Sequence, residues 1–296
     1  MSENMLSNIT IQEFNSNVRL NSQQLGTSKL RPYVEEQPCT GKYSEAVKIL
    51  DPFDFREAEG RFAQKVYTDP ATVRRWIPKV NRSVHVPIDD RDVLATLADI
   101  DNPLAVGGAA AIGRLFDDVI IPAFWATAIT GENAGDSTVA FDTNQNIAYN
   151  FGGSNGMNTP KLEEAIRMFG TNNVDTDMEK LFCAIGPYQN ANLLREVEVA
   201  KEEYKKSAVI SSGKVREYLG VTFVHTNKLT PDGDGYRRCP MWVKRAIRLG
   251  IWMEPSFHWY TDETLEFDPD VMSGKGIIGA TRTQEDLVVE IECSEA

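Results

Sequence analysis

Small and aliphatic residues recur at three- and four-residue steps through Gly108, Ala111, Ile112, Leu115 and Val119, which places them on one face of a helix. Asn102 suits the N-cap and Pro103 the first turn, while the run Gly107 to Ala111 adds no bulk and would let the helix approach a sheet closely. Pro122 should kink or interrupt this helix before Ile129, and Gly131 should end it. A second helix is marked by Thr159 as cap, Pro160 in the first turn, Leu162, Ala165, Ile166 and Phe169 on one face, and Gly170 as terminator. Leu181 to Ile185 reads as a buried strand stopped by Gly186-Pro187, Ala191 to Tyr204 as a further helix, and Val221 to Val224 as another strand. Near the end, Trp252, Pro255, Phe257 and Trp259 alternate with Met253, Glu254 and His258, and Leu287 to Ile291 forms a last strand. Helices and strands mixed in this way predict an α+β chain.

Two stretches lack such periods. The first thirty or so residues are rich in Asn, Ser and Gln, too polar for a core of their own, yet Ile9, Ile11, Phe14, Val18 and Leu20 are regularly spaced. They predict an arm that orders against something else, where a generic terminus would simply be loose. From Tyr43 to Ile88, aromatic residues at Phe53, Phe55, Phe62, Tyr67 and Trp76 are punctuated by Pro52, Pro70, Pro78 and Pro87, which suits extended antiparallel segments. An excursion of this length is unusual inside a compact domain. It reads as a projecting hairpin that packs on a neighbouring molecule, with a half-buried meander as the plainer alternative.

At 296 residues the chain has room for about two domains and can bury a core without covalent staples. Its 43 acidic against 31 basic side chains give a formal charge of −12, which opposes tight, non-specific wrapping of nucleic acid. Any DNA nearby would be contained and not gripped. Cys39, Cys183, Cys239 and Cys293 lie far apart with no zinc spacing, so neither a disulfide framework nor a metal site is signalled and a reducing cytoplasm is expected. The first ten residues lack a basic region followed by an apolar core, so no secretory signal is expected. Arg114, Asp117 and Asp118 sit in the middle of the apolar stretch Leu104 to Ile129 and argue against a membrane span.

Chemistry is sparse. Phosphate-loop, zinc-protease, dinucleotide and calcium-loop motifs are absent from the sequence, and no cofactor is expected. Gly152-Gly153-Ser154-Asn155-Gly156 fits the G-x-S-x-G of a nucleophile elbow, with Asp175 and His225 following in serine-acid-histidine order. An elbow needs its helix to start at once after the serine, whereas the helix signal here waits until Thr159, so the cluster reads first as a turn and a serine hydrolase built on Ser154 is the alternative. His85, His225 and His258 each lie in strand-like sequence with no metal spacing. The run Glu196, Glu198, Glu202 and Glu203, interleaved with Lys201, Lys205 and Lys206, looks like a solvated helix face.

Read in order, the pieces resemble a family, the major capsid proteins of tailed bacteriophages. The resemblance rests on Trp76-Ile77-Pro78 leading to Ile88-Asp89-Asp90-Arg91-Asp92, the helix from Pro103 through Arg114-Leu115-Phe116-Asp117-Asp118, and Ile129-Thr130-Gly131. It continues through Ile185-Gly186-Pro187, Ser212-Gly213-Lys214-Val215 to Leu219-Gly220-Val221, and Gly279-Ala280-Thr281-Arg282 to Val288-Val289-Glu290-Ile291. It implies the shell fold shared by tailed phages and herpesviruses: an N-terminal arm (1–42), an extended β-hairpin loop (43–88), a peripheral domain with a long spine helix (89–131), a mixed α/β axial domain (132–245) and C-terminal strands returning to the peripheral domain (246–296).

The same resemblance implies self-assembly into hexamers and pentamers of an icosahedral virion shell around double-stranded DNA, built in the host bacterial cytoplasm. The further partners it implies are a scaffolding protein, suggested by the absence of a large helical segment ahead of the arm, a portal and possible decoration proteins. Phe14, Phe53, Phe55, Phe62 and Trp76 are the expected subunit-interface residues, with no catalytic, metal or cofactor site. Some relatives weld subunits through a Lys–Asn bond, and no lysine, asparagine and acid here match that arrangement. An encapsulin-like container shares the shell fold and is a second alternative.

Overall fold

The computed structural model describes residues 28–50, 69–88, 101–196, 213–264 and 268–295, together with residues 55, 64 and 67. The expected arm residues up to Leu20, Phe14 among them, lie outside the described residues, as do Phe53, Phe62 and most of the acidic run after Glu196.

The long helix, α1, spans Asp101–Ala123, with Pro122 in its last turn. The N–H groups of Trp125 and Ala126 donate to the Pro122 carbonyl at 3.1 and 2.8 Å, so the chain closes off the helix there. The expected continuation to Ile129 is therefore corrected: Ala128–Thr130 is a strand, β5, in which Ile129 pairs with Trp76 and Thr130 with Arg75. Pairing of two β-branched residues with a sheet outweighs the helical period once proline has ended the ladder. Gly131 follows that strand, at φ 114, and does not cap a helix.

A six-stranded sheet organises much of the core. Its order is β7 (Asn146–Ile147), β14 (Val288–Cys293), β11 (Arg237–Val243), β8 (Leu181–Ile185), β10 (Val221–His225) and β9 (Glu217–Tyr218). Every residue of β8 is buried, as its unbroken apolar run requires for a central strand covered on both faces. On one face Phe182 and Trp242, paired in register, stack with Tyr33 and Phe124 at ring separations of 4.8 to 6.1 Å, which seats the end of α1 on the sheet. The second helix, α2 (Thr159–Thr171), buries Leu162, Ala165 and Phe169 as its period predicts. Its cap is Asn158, whose Oδ1 accepts from the Lys161 N–H at 3.0 Å, and not Thr159. The third helix, α3, runs Pro187–Arg195, starting four residues earlier than its pattern indicated because Pro187 occupies the first turn directly after β8.

The remaining strands form two four-stranded sheets. In one, β2 (Tyr43–Leu50) and β3 (Thr72–Pro78) are antiparallel partners from Tyr43↔Pro78 to Leu50↔Thr72, with a bulge at Glu45/Val47, and the order continues through β5 to β6 (Ser137–Val139). In the other the order is β1 (Glu35–Pro38), β12 (Ile247–Thr261), β13 (Asp270–Arg282) and β4 (Val80–Ile88). The tertiary contacts divide the chain into two interleaved units, one taking residues 81–115 and 253–277 and the other 29–80, 116–252 and 278–296.

Within the first unit, glycines make room for one aromatic ring. A Cβ on Gly274 would fall 2.3 Å from the Phe257 ring, and one on Gly108 3.2 Å from it, so the small-residue face of α1 does serve close approach to a strand. Within the second unit a Cβ on Gly279 would stand 2.1 Å from the Pro78 carbonyl oxygen, which is backbone and cannot swing aside. Gly279→Ala should therefore cost at least ~1–3 kcal/mol, the range for overpacking, visible as a lower urea midpoint at unchanged slope.

Candidate assembly surfaces

Charged side chains at the centre of the second unit fix the elements from which any contact surface projects. Arg282 is wholly buried, and its Nη1 donates to the carbonyls of Phe124 and Ala126 at 2.7 and 3.1 Å, just past the last turn of α1. Burial pushes its guanidinium below the ordinary range, and Glu285, accepting from Arg282 Nη2 at 3.3 Å, opposes that shift. Arg75 on β3 donates through Nε to the Thr283 carbonyl at 3.0 Å and through Nη2 to Glu285 at 2.7 Å. The hairpin strand, the helix end and the turn before β14 thus share one carboxylate. The buried Asp117 carboxylate on α1 accepts from the N–H groups of Lys29 and Leu30 at 3.1 to 3.2 Å, tying the segment ahead of β1 to that helix.

Lys161 is the third such group. Its side chain is fully buried, and Nζ donates to the carbonyls of Tyr149 and Gly156 at 2.7 Å, of Glu292 at 3.1 Å and, at the limit, of Asn155 at 3.5 Å. Burial lowers its pKa, against the pull of nearby Cys293 and Cys239. One ammonium therefore ties the 149–156 loop to α2 and to β14. Nothing in the sequence period distinguishes Lys161 from a surface lysine; only the crowd of glycines and asparagines ahead of Pro160 marked a loop in need of a donor.

That loop contains the serine of the G-x-S-x-G pattern, and its geometry is that of a turn. Gly152 and Gly153 adopt φ of 74° and 77°, Ser154 is exposed with extended backbone, and Asn158 Nδ2 donates to the Phe151 carbonyl at 3.1 Å. Asp175 accepts from the N–H groups of Asp177 and Met178, and His225 donates through Nε2 to the Val215 carbonyl at 2.8 Å. Each is engaged locally, with no relay toward Ser154. Burial pushes the His225 imidazole below its ordinary range, the Val215 carbonyl pulling the other way. All four cysteines are free and buried, and among the described residues no group of three or more His, Cys, Asp or Glu could hold a metal. No described helix is long and apolar enough to cross a membrane.

Of the expected interface residues, two are described. Phe55 is fully exposed, as is most of Tyr67 in the same excursion. Trp76 is half-buried, its indole N–H donating to the Gly131 carbonyl at 3.0 Å, so part of its bonding capacity is used within its own chain.

A long helix seated by its end on a mixed sheet, two interleaved units and an antiparallel hairpin define a shell-subunit fold. The capsid structure of cyanophage P-SCSP1u superposes with a TM-score of 0.73 at 15% identity, covering 100% of this chain and 96% of that one. The cyanophage Pam1 capsid gives 0.68 at 15% identity over 100% and 98%, and the capsid of Ralstonia phage GP4 gives 0.69 at 10% over 96% and 95%. No curated protein sequence matches the chain. Residues 6–295 match the family described as phage capsid protein, and the chain belongs to that family. It is a structural protein of the phage shell and not an enzyme.

The Lys161 cage gives a direct stability test. Lys161→Met keeps the bulk of the stem but strands the carbonyls it served, at about 1–3 kcal/mol for each left unsatisfied. The variant should show a clearly lower urea midpoint, whereas Glu163→Ala, on the exposed face of the same helix, should stay within about 0.5 kcal/mol of wild type.

Proposed function

We propose that this chain is the major capsid subunit, assembling as hexamers and pentamers into an icosahedral shell around the phage double-stranded DNA. The family match supplies the role, and the full exposure of Phe55 on the excursion between β2 and β3 is the observation that carries the assembly reading: a large aromatic ring lies outside the chain's own core. In this reading residues 1–42 are the arm, 43–88 the extended loop, 89–131 the peripheral domain with its spine helix, 132–245 the axial domain and 246–296 the returning strands. Phe14, Phe53, Phe55, Phe62 and Trp76 contribute to contacts between subunits, with buried aromatics supplying most of each contact's energy.

The mechanism is one of multiplicity. Each contact is modest, but closure around symmetry axes makes every subunit bind several neighbours at once, so the assembled shell is far more stable than any single interface. The net charge of −12 keeps DNA contained without a tight, non-specific grip. A scaffolding protein, a portal and decoration proteins are the further partners of this reading, and assembly takes place in the host bacterial cytoplasm before the subunit becomes part of the virion.

Electron microscopy of the purified chain, alone and with its scaffolding partner, tests the reading. Closed icosahedral particles are expected, and a monodisperse monomer under both conditions overturns it. Replacing Phe53 and Phe55 together with Ala should lower particle yield by well over tenfold, because a loss of ~2 kcal/mol per contact already exceeds the 1.4 kcal/mol of a tenfold change and recurs at each copy.

A further inference from the structure

Arginines gather around one pocket of the larger unit. It has a volume of about 210 Å³, opens between β2 and the turn before β14, and is lined by Glu35, Val47, Ile49, Arg245, Arg248 and Thr283 among others. Arg248 pairs with Glu35 through Nη2 at 2.7 Å, and Arg245 pairs with Glu179 through Nε at 2.7 Å. Arg75 belongs to the same place. It stands opposite Val47 in the pairing of β2 with β3, so its side chain leaves the sheet on the face that carries Val47 and Ile49, and its Nε donates to the carbonyl of Thr283.

Two of these guanidinium groups are incompletely bonded. Arg75 is 5% exposed; Thr283 takes its Nε and Glu285 its Nη2, while Nη1 is buried with no hydrogen-bond partner among the described residues. Nε of Arg248 is buried in the same condition. A buried donor left unmade is costly, and more so on a charged group, so two of them beside one cavity call for an acceptor within it. The charges point the same way. Arg75, Arg245, Arg248 and Arg282 pair with Glu35, Glu179 and Glu285 only, which leaves one positive charge over in a chain that carries −12 as a whole.

Guanidinium forks match oxyanions in shape and charge. A carboxylate holds its two oxygens in one plane, whereas a tetrahedral ion spreads four of them and can be served at once by arginines arriving from different elements. At roughly 30 Å³ for each water the cavity has room for several, so an ion of five heavy atoms fits. We propose that this pocket binds one small tetrahedral oxyanion of the phosphate type, held by Arg75, Arg245 and Arg248. The ion supplies the acceptor that Glu35 and Glu285 do not, and it joins β3, β12 and the turn before β14 through one charge. The site belongs to a single chain and is independent of how copies assemble.

Titration of the full chain with inorganic phosphate, in chloride buffer of constant ionic strength and followed by calorimetry and phosphorus NMR, tests the proposal. One phosphate should bind per chain, and neither acetate nor a short DNA duplex should displace it. Arg245→Gln and Arg248→Gln should each weaken binding by roughly tenfold or more, as expected for the loss of a charge-assisted hydrogen bond. Lys48→Gln, on the opposite face of β2, should leave it unchanged. The Arg245 side chain is 43% exposed, so its variant keeps the fold and carries the test where loss of Arg248 unfolds the chain. Absence of saturable binding at millimolar phosphate overturns the proposal, as does binding that both arginine variants leave intact. Displacement by acetate or by the duplex overturns it too, since the pocket then serves a carboxylate or a nucleic-acid backbone.

Discussion

The half-buried Glu285 carboxylate and the two buried arginines that converge on it set the geometry on which the larger unit depends. Arg282 reaches the open carbonyls after α1, Arg75 reaches back from the hairpin strand, and Glu285 pairs with both at the turn before the last strand. A guanidinium with no exposed surface is tolerable only with its donors occupied, since leaving one member of such a set unpaired costs ~3–5 kcal/mol. The requirement acts as a lock. The helix end, β3 and the carboxy-terminal strand must occupy their positions together, because any one of them displaced strands a charge belonging to the others. Lys161 applies the same logic beside the last strand of the six-stranded sheet, holding α2, the glycine-rich loop and β14 through one ammonium.

Rigidity of this kind has a consequence for assembly. Association costs translational and rotational freedom, and it costs more when the contacting segments must also be ordered. A subunit whose sheets and helix end are already locked by buried charge loses little further freedom in those elements when it meets its neighbours. The surface charge works in the opposite sense, since a net −12 on every copy opposes their approach. Attraction must then come from local, non-directional burial, which fits the placement of Phe55 outside the core of a single chain.

Periodic elements were legible in the sequence, and the reason is that their signals are local. The faces of α1 and α2, the unbroken apolar run of β8 and the strands at the end follow from side-chain alternation that any reader of the chain can count. Boundaries were less so. Pro122 and the β-branched pair Ile129-Thr130 pulled the chain out of a helix that periodicity alone would have extended, and Asn158 took the capping role for which Thr159 was equally suited by type. The buried charges were not legible at all. Arg75 and Glu285 are separated by 210 residues, and a charged residue read in isolation belongs at the surface. The aromatic residues of the excursion stood out by composition, but pattern could not show that Trp76 commits its indole N–H to its own chain at Gly131.

The serine pattern shows why local motifs misread without their context. A nucleophile elbow strains a serine at the top of a strand so that a helix can begin beneath it, whereas here the strain-bearing positions are the two glycines and the helix is delayed to Thr159. The same residues instead let the loop fold back until the carbonyls of Tyr149, Asn155 and Gly156 face Lys161, a use of positive φ that turns a run of small residues into a socket for one buried cation. What looked like a candidate for chemistry is a fastening, which is the role that most polar groups inside this shell subunit perform.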